Sequence, residues 1–405
     1  MPTLFYSRTA QQRLAESLAG YPVVVLTGAR QTGKSTLAHA IGGHDRLYLT
    51  LDDFDVLEQA GDDPDGLVAR APRQTLDEVQ RAPALLLAIK RAVDRKRQRG
   101  RFLLTGSANL ALLDKVSESL AGRASYLSLW PMTRREQRGK GRCGVWQELL
   151  DAPGDAWPAV LKAHHEAPED WRAFAIRGGY PTPALELTAS QRDIWFAGYT
   201  QTYLERDVAQ ISAIANLPDL RRLMRAVCLR IGQLTNQTEL ARDVALPQAT
   251  VHRWLNVLEA SYQLVRVPAY AVNRTKRLIK TPKVYWSDTG LALHLSGATP
   301  DGPHLENLVL NDLLVWRDSQ VKRPEVLYWR TAAGEEVDFV IESNGRLLPI
   351  EVKATTRPRT GDARHLQSFR AEYGVSAGPG LVLHTGTAIE WLAPGILAAP
   401  WWAVL

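Results

Sequence analysis

Val23-Val24-Val25-Leu26-Thr27-Gly28-Ala29-Arg30-Gln31-Thr32-Gly33-Lys34-Ser35-Thr36 is the stretch on which the fold turns. The apolar β-type run Val23 to Leu26 reads as a strand of a parallel α/β sheet. Gly28 to Ser35 then fits G-x-x-x-x-G-K-[ST], and a helical pattern, Thr36 to Ile41, follows. The bounding glycines let the backbone N–H groups of Gly28, Ala29, Arg30, Gln31, Thr32 and Gly33 close around phosphate oxygens. The helix N-terminus adds partial positive charge. Lys34 is expected to reach the β- and γ-phosphates and Ser35 to ligate Mg²⁺, with Thr36 completing the nucleotide-binding set. The competing reading is a turn with a surface lysine, and the strand–loop–helix context disfavours it.

Working outward, Leu47-Tyr48-Leu49 and Phe102-Leu103-Leu104-Thr105 read as further strands, and Ala84 to Arg97 reads as a helix. A partner acid should end a neighbouring strand. Asp77-Glu78 is the best candidate: Asp77 to hold Mg²⁺ through water, Glu78 to orient the attacking water. The residues before it, Arg73-Gln74-Thr75-Leu76, are polar for a buried strand, so a helix N-cap with an acidic first turn competes. Asp52-Asp53 is a rival, since it also follows a strand. Ser107, after the strand Phe102 to Thr105, is a candidate sensor of the γ-phosphate, with simple turn chemistry as the alternative. Arg123 is a candidate finger acting on a neighbour's ATP, or else a surface arginine. The run Arg95 to Arg99 is read as cations at a helix end rather than a DNA patch.

Length and composition set the frame. The 405 residues exceed one ordinary domain, and 45% hydrophobic with 23% charged residues excludes disordered and collagen-like chains. Cys143 and Cys228 are the only cysteines, so no disulfide framework or zinc ribbon is available and a reducing cytoplasm is expected. No signal peptide or membrane span is expected; Trp391 to Leu405 is short and broken by Pro394 and Pro400, and reads as a closing strand or core-covering tail. The net charge of +6 permits nucleic-acid binding without requiring it. All 12 tryptophans lie at or after Trp130, which marks a boundary. The expected divisions are 1–131, a P-loop core; 132–170, an irregular insertion or linker; 171–233, helical; 234–300, a compact module with a basic connector; and 301–405, a final α/β domain.

Within the compact module, Thr238 to Val244 and Ala249 to Leu258 read as two helices around the turn Ala245 to Gln248. Gln248, Thr250, His252 and Arg253 would face outward as on a recognition helix, and Tyr262 to Val267 would be a wing strand. The cations Arg274, Lys276, Arg277, Lys280 and Lys283 would track phosphates. A helical packing module that never meets DNA is the alternative.

In the final domain, Glu336-Val337-Asp338-Phe339-Val340-Ile341-Glu342 and Leu347-Leu348-Pro349-Ile350-Glu351-Val352-Lys353 flank Asn344-Gly345, the strongest short hairpin signal. With that turn at the centre, Asp338 faces Glu351 and Glu336 faces Lys353 on one side, with Val337, Phe339, Ile350 and Val352 on the other. Adjacent carboxylates repel, so a cation must justify them. A divalent metal would do so, with Lys353 orienting or deprotonating a water and Glu306 a further ligand. A solvated face with a Glu336–Lys353 ion pair is the competing reading.

Taken together, the loop Gly28 to Ser35, Leu76-Asp77-Glu78-Val79-Gln80 and Leu104-Thr105-Gly106-Ser107 resemble the core of prokaryotic AAA-type ATPases. Gly178-Gly179-Tyr180-Pro181, Tyr203 to Asp207, Lys280 to Tyr285 and Asp288-Thr289-Gly290 resemble landmarks of the C-terminal region that follows this core in one group. The resemblance implies a P-loop domain, a winged-helix module, and an end domain like the PD-(D/E)xK nucleases, whose motif Asp338, Glu351 and Lys353 would match, with Glu306 as the helix acid. The expectation is an ATP- and Mg-dependent ATPase coupled to DNA binding or processing, with room for a homo-oligomer. The alternative is an ATP-dependent switch on a protein partner, built around an inactive nuclease-like scaffold.

Overall fold

The computed structural model describes residues 5–43, 45–106, 120–164, 166–204 and 216–405. Its first unit is a five-stranded parallel sheet built from β1 (Val23–Thr27), β2 (Leu47–Thr50), β3 (Gln74–Asp77), β4 (Phe102–Thr105) and β5 (Ala124–Ser128). The order is β2-β3-β4-β1-β5, so β4 lies between the strand carrying the phosphate loop and the strand carrying Asp77. The central strands β1, β3 and β4 are buried throughout, as in a parallel sheet covered on both faces, while the edge strands β2 and β5 are only partly covered. Two apolar clusters fill the faces: Val23, Val25, Leu76 and Phe102 on one, Val24, Leu26, Leu37 and Leu103 on the other.

The polar strand before Asp77 is real and buried. Gln74 is tolerated there because its side-chain amide donates to the carbonyls of Val68, at 2.9 Å, and Ala71, at 3.1 Å. A buried polar group that keeps hydrogen bonds loses little by burial. β5 gives no strand signal in sequence, because its residues are too polar to announce one.

Residues 132–170, expected to be irregular, instead carry the helices Arg134–Gln137, Trp146–Asp151 and Trp157–Ala163. They pack into the core rather than link modules. Arg134, fully buried, pairs with Glu166 at 2.5 Å and donates to the Trp402 carbonyl at 3.1 Å. Arg135 donates to the carbonyls of Ala403 and Val404. Charge and glycine suggest a solvated loop, but here the guanidinium groups satisfy backbone carbonyls of the final turn.

The helices Gln237–Asp243 and Gln248–Ala260 follow where two helices were expected, joined through Ala245 with a left-handed backbone, φ 51°. A two-stranded antiparallel sheet, β6 (Leu264–Val267) with β7 (Lys283–Trp286), comes next. The last unit is a six-stranded mixed sheet of β8 (Glu325–Arg330), β9 (Glu336–Ser343), β10 (Arg346–Lys353), β11 (Gly380–His384), β12 (Glu390–Ala393) and β13 (Ile396–Pro400). Its order is β12-β13-β11-β10-β9-β8. The helix Gly302–Ser319 packs on one face and Arg364–Tyr373 on the other. The apolar tail is thus a closing hairpin and a buried turn, Trp401–Val404. Among the described residues no helix is long and apolar enough to cross a membrane.

Candidate nucleotide site and acid cluster

The loop after β1 has the backbone that its glycines permit. Gly28 has φ 146°, and a Cβ on it would lie 2.3 Å from the Leu129 carbonyl oxygen. Gly33, at φ 91°, opens the helix Lys34–Gly42. Gln31 adopts the left-handed region without being glycine, at φ 64°. Arg8, itself buried, braces the loop from outside: it donates to the Thr32 carbonyl at 2.8 Å and the Trp130 carbonyl at 2.7 Å, and pairs with Glu136 at 3.2 Å.

Lys34 is 6% exposed, and its ammonium donates to the carbonyls of Ala29, at 2.7 Å, and Gly28, at 3.2 Å. Burial pulls its pKa down to about 8, against the pull of Glu78 and Asp77. Lys34, Ser35, Thr36, Arg30 and Glu78 line one cavity of about 870 Å³, roomy enough for a nucleoside triphosphate. Glu78 follows directly on β3 with a left-handed backbone, φ 56°. Gln80 donates to its carboxylate.

Asp77 ends β3 and is buried. Both its oxygens are engaged: Tyr48 on β2 donates to one at 2.6 Å, and Thr105 at the end of β4 donates to the other. The Tyr48 hydroxyl also interacts with the Ser35 side chain. Tyr48 carries no motif signal, although it lies in β2, the strand that pairs with the one ending in Asp77. Asp53, the rival acid, caps the helix Phe54–Asp62, while Asp52 lines the cavity and pairs with Arg81. Ser107 lies outside the described residues. Arg123 precedes β5 and so sits at the strand edge opposite the phosphate loop, paired with Asp94 at 2.6 Å. It does not reach this chain's own loop.

In the end sheet, β9 and β10 pair as the turn Asn344-Gly345 dictates: Arg346 with Ser343, through to Ile350 with Phe339. The apolar face differs from the simple alternation. A bulge in the β8–β9 ladder lies between Val337 and Val340, so Val337 packs with Leu347 and Leu366 while Phe339 packs with Ile341 and Ile350 on the other face. Glu306, Asp338, Glu351 and Lys353 do come together. Burial and the neighbouring Asp338 raise Glu306 to about 7 and Glu351 to about 8. Lys353 bonds Glu351 at 2.6 Å rather than Glu336. Lys283, expected among exposed phosphate-tracking cations, is instead buried and pairs with Glu336, Glu306 and Asp338. Among the described residues no three His, Cys, Asp or Glu side chains are set to hold one ion.

Two of the C-terminal landmarks also meet. Asp288 is fully buried and accepts from the Gly179 N–H at 2.5 Å and the Leu291 N–H at 2.8 Å. A Cβ on Gly178 would strike its carboxylate at 2.6 Å. Gly178-Gly179 and Asp288 are therefore a structural joint, whereas Glu205 to Asp207 of the remaining landmark lie outside the described residues.

The parallel sheet, its glycine-bounded loop and the buried lysine define an AAA-type P-loop ATPase domain, and residues 20–137 match an AAA domain family. Residues 168–302 and 301–404 match two domains of unknown function, DUF8612 and DUF4143. The chain belongs to the family of the uncharacterized proteins Rv2008c of Mycobacterium tuberculosis and Mb2031c of Mycobacterium bovis. It is 31% identical to each over 367 residues, 88% of this chain and 75% of the relative. Among solved structures it is similar to a Walker-type ATPase of Pyrococcus abyssi, at 14% identity and TM-score 0.42, over 72% of this chain and 96% of that one. It is also similar to a RuvB variant of Thermotoga maritima, at 18% identity and TM-score 0.31, over 66% and 93%.

Proposed function

We propose that this chain is a Mg²⁺-dependent ATPase whose nucleotide cycle governs DNA binding by its C-terminal half. The observation that carries the ATPase reading is Lys34, buried in the loop and sharing one cavity with Ser35 and Glu78. Lys34 would neutralise the β- and γ-phosphates, and Glu78 would orient the attacking water. Ser35 would hold the metal directly and Asp77 through water; the bound Mg²⁺ would supply charge neutralisation on the phosphate oxygens. Tyr48 and Thr105 would fix the Asp77 carboxylate.

The DNA reading treats the helix pair and β6–β7 as a winged helix. It is supported by the outward face of Gln248–Ala260, where Gln248, His252, Arg253 and Asn256 are exposed, and by exposed Arg274, Lys276 and Lys280 beyond it. Communication with the nucleotide would pass through Tyr262. Its hydroxyl lies 2.8 Å from Thr27, the residue before Gly28, and 3.1 Å from Ser128. One observation favours the second reading, an ATP-dependent switch on a protein partner: Lys283 sits inside the acid cluster that a working nuclease would need open.

ATP turnover with Mg²⁺, with and without duplex or single-stranded DNA, tests both, using Lys34→Ala as the blank. Stimulation by DNA is expected. Turnover equal to that of Lys34→Ala defeats the ATPase reading, and turnover indifferent to DNA moves the assignment to the protein switch. Arg123 would act only on a neighbouring copy, so Arg123→Ala should lower turnover only in an assembly.

A further inference from the structure

The end sheet's acid cluster lies apart from the nucleotide site, and the likeness to nuclease motifs implies a divalent ion on Glu306, Asp338 and Glu351. The side chains do not fit that ion. The Lys283 ammonium stands 2.6 Å from Glu336, 3.0 Å from Glu306 and 3.3 Å from Asp338. An ammonium has three N–H donors, and here each has a carboxylate. The Lys283 side chain is 2% exposed, so no ion enters without displacing it.

Some of the remaining oxygens are also taken. The second oxygen of Asp338 accepts from the Val352 N–H at 2.9 Å, and Tyr285 donates to the Glu306 oxygen that Lys283 holds. Glu351 gives one oxygen to Lys353 at 2.6 Å; its other oxygen is buried without a hydrogen-bond partner. This oxygen and the second oxygen of Glu306 are left over, and Mg²⁺ could complete its shell with water, so what takes the ion's place is the Lys283 ammonium seated among the carboxylates.

We propose that Lys283 fills the place of the divalent cation from within the chain, making the acid cluster a lysine-neutralised joint rather than a metal site. Lys283 belongs to β7, which pairs with β6 directly after the helix pair, whereas Glu306, Glu336 and Asp338 belong to the end unit. The charge contact therefore joins the middle module to the end sheet. It also closes the cluster to a phosphodiester, whose cleavage there would need a metal and space. None of this rests on the ATPase reading.

The test is Mn²⁺ binding to the full chain without nucleotide, read from the electron paramagnetic resonance signal of free Mn²⁺. Wild type and Asp338→Asn should give superimposable titrations into the millimolar range. Lys283→Gln should bind one additional Mn²⁺ at least ~tenfold more tightly than wild type does, and lose it when Asp338→Asn is added. A wild-type site that Asp338→Asn abolishes overturns the proposal. So does a folded Lys283→Gln, judged by unchanged circular dichroism, that gains no Mn²⁺. If Lys283→Gln does not fold, the wild-type comparison decides alone, with Glu351→Gln as its second variant.

Discussion

At the scale of single residues, the loop's chemistry depends on a lysine kept where its charge is costly. Its folded pKa of about 8 lies below the usual 10.5. Between those values the unfolded chain binds more protons than the folded one, so this lysine's contribution makes stability rise with pH across that window and stay level below it. Ligand binding runs the other way, because phosphate needs the ammonium. ATP affinity should therefore fall above pH 8, by up to ~tenfold per pH unit, in an equilibrium titration. Lys34→Arg should flatten that dependence. Glu78→Gln should keep ATP binding while lowering turnover by ~10²–10⁴-fold, measured as kcat in a phosphate-release assay. Lys34 and Glu78 were legible because each sits in a contiguous motif. Arg8 and Tyr48 were not, because their partners are distant in sequence: Arg8 meets Thr32 and Trp130, and Tyr48 meets Asp77.

At the scale of elements, the strands that sequence marks well are those made of an unbroken apolar run, such as β1 and β4. Gln74 and Thr75 in β3 disguise a buried strand because carbonyls of the preceding segment meet the glutamine. The β9–β10 register was readable to the residue, since Asn344 at φ 50° and Gly345 at φ 79° form the two-residue turn that fixes it. Gly345→Val should cost about 1–3 kcal/mol in a denaturant titration, with ATP binding untouched. What alternation did not reveal was the bulge that divides Val337 from Phe339, or which cation would meet Asp338. A lysine more than fifty residues upstream has no periodic relation to the hairpin. Removing that buried cation by Lys283→Met should destabilise the chain by about 3–5 kcal/mol, because three carboxylates lose their partner; a thermal or urea melt reads it.

At the scale of the whole molecule, the route proposed from nucleotide to C-terminal half would be short. Tyr262 holds φ 59° at the turn between Gln248–Ala260 and β6, and its ring meets Trp130 edge-on at 5.4 Å. Trp130 in turn donates to Asp318, near the end of the helix Gly302–Ser319, at 2.7 Å. Tyr262→Phe removes the bonds to Thr27 and Ser128 but keeps the ring. It should leave basal ATP turnover within about twofold and reduce its response to DNA; an unchanged response would remove Tyr262 from the route. A P-loop core at the start of the chain was legible from motif spacing, but the closeness of the later modules to it was not, because it rests on contacts spanning much of the chain.

The guanidinium groups of Arg134 and Arg135 end on carbonyls of residues 402–404, about 268 positions later. During synthesis the ATPase sheet is complete long before those carbonyls emerge. Without them, Arg134 and Arg135 would keep Glu166 but lose these acceptors. A chain cut before Trp402 should therefore melt at a lower temperature, because buried guanidinium donors lose their carbonyls.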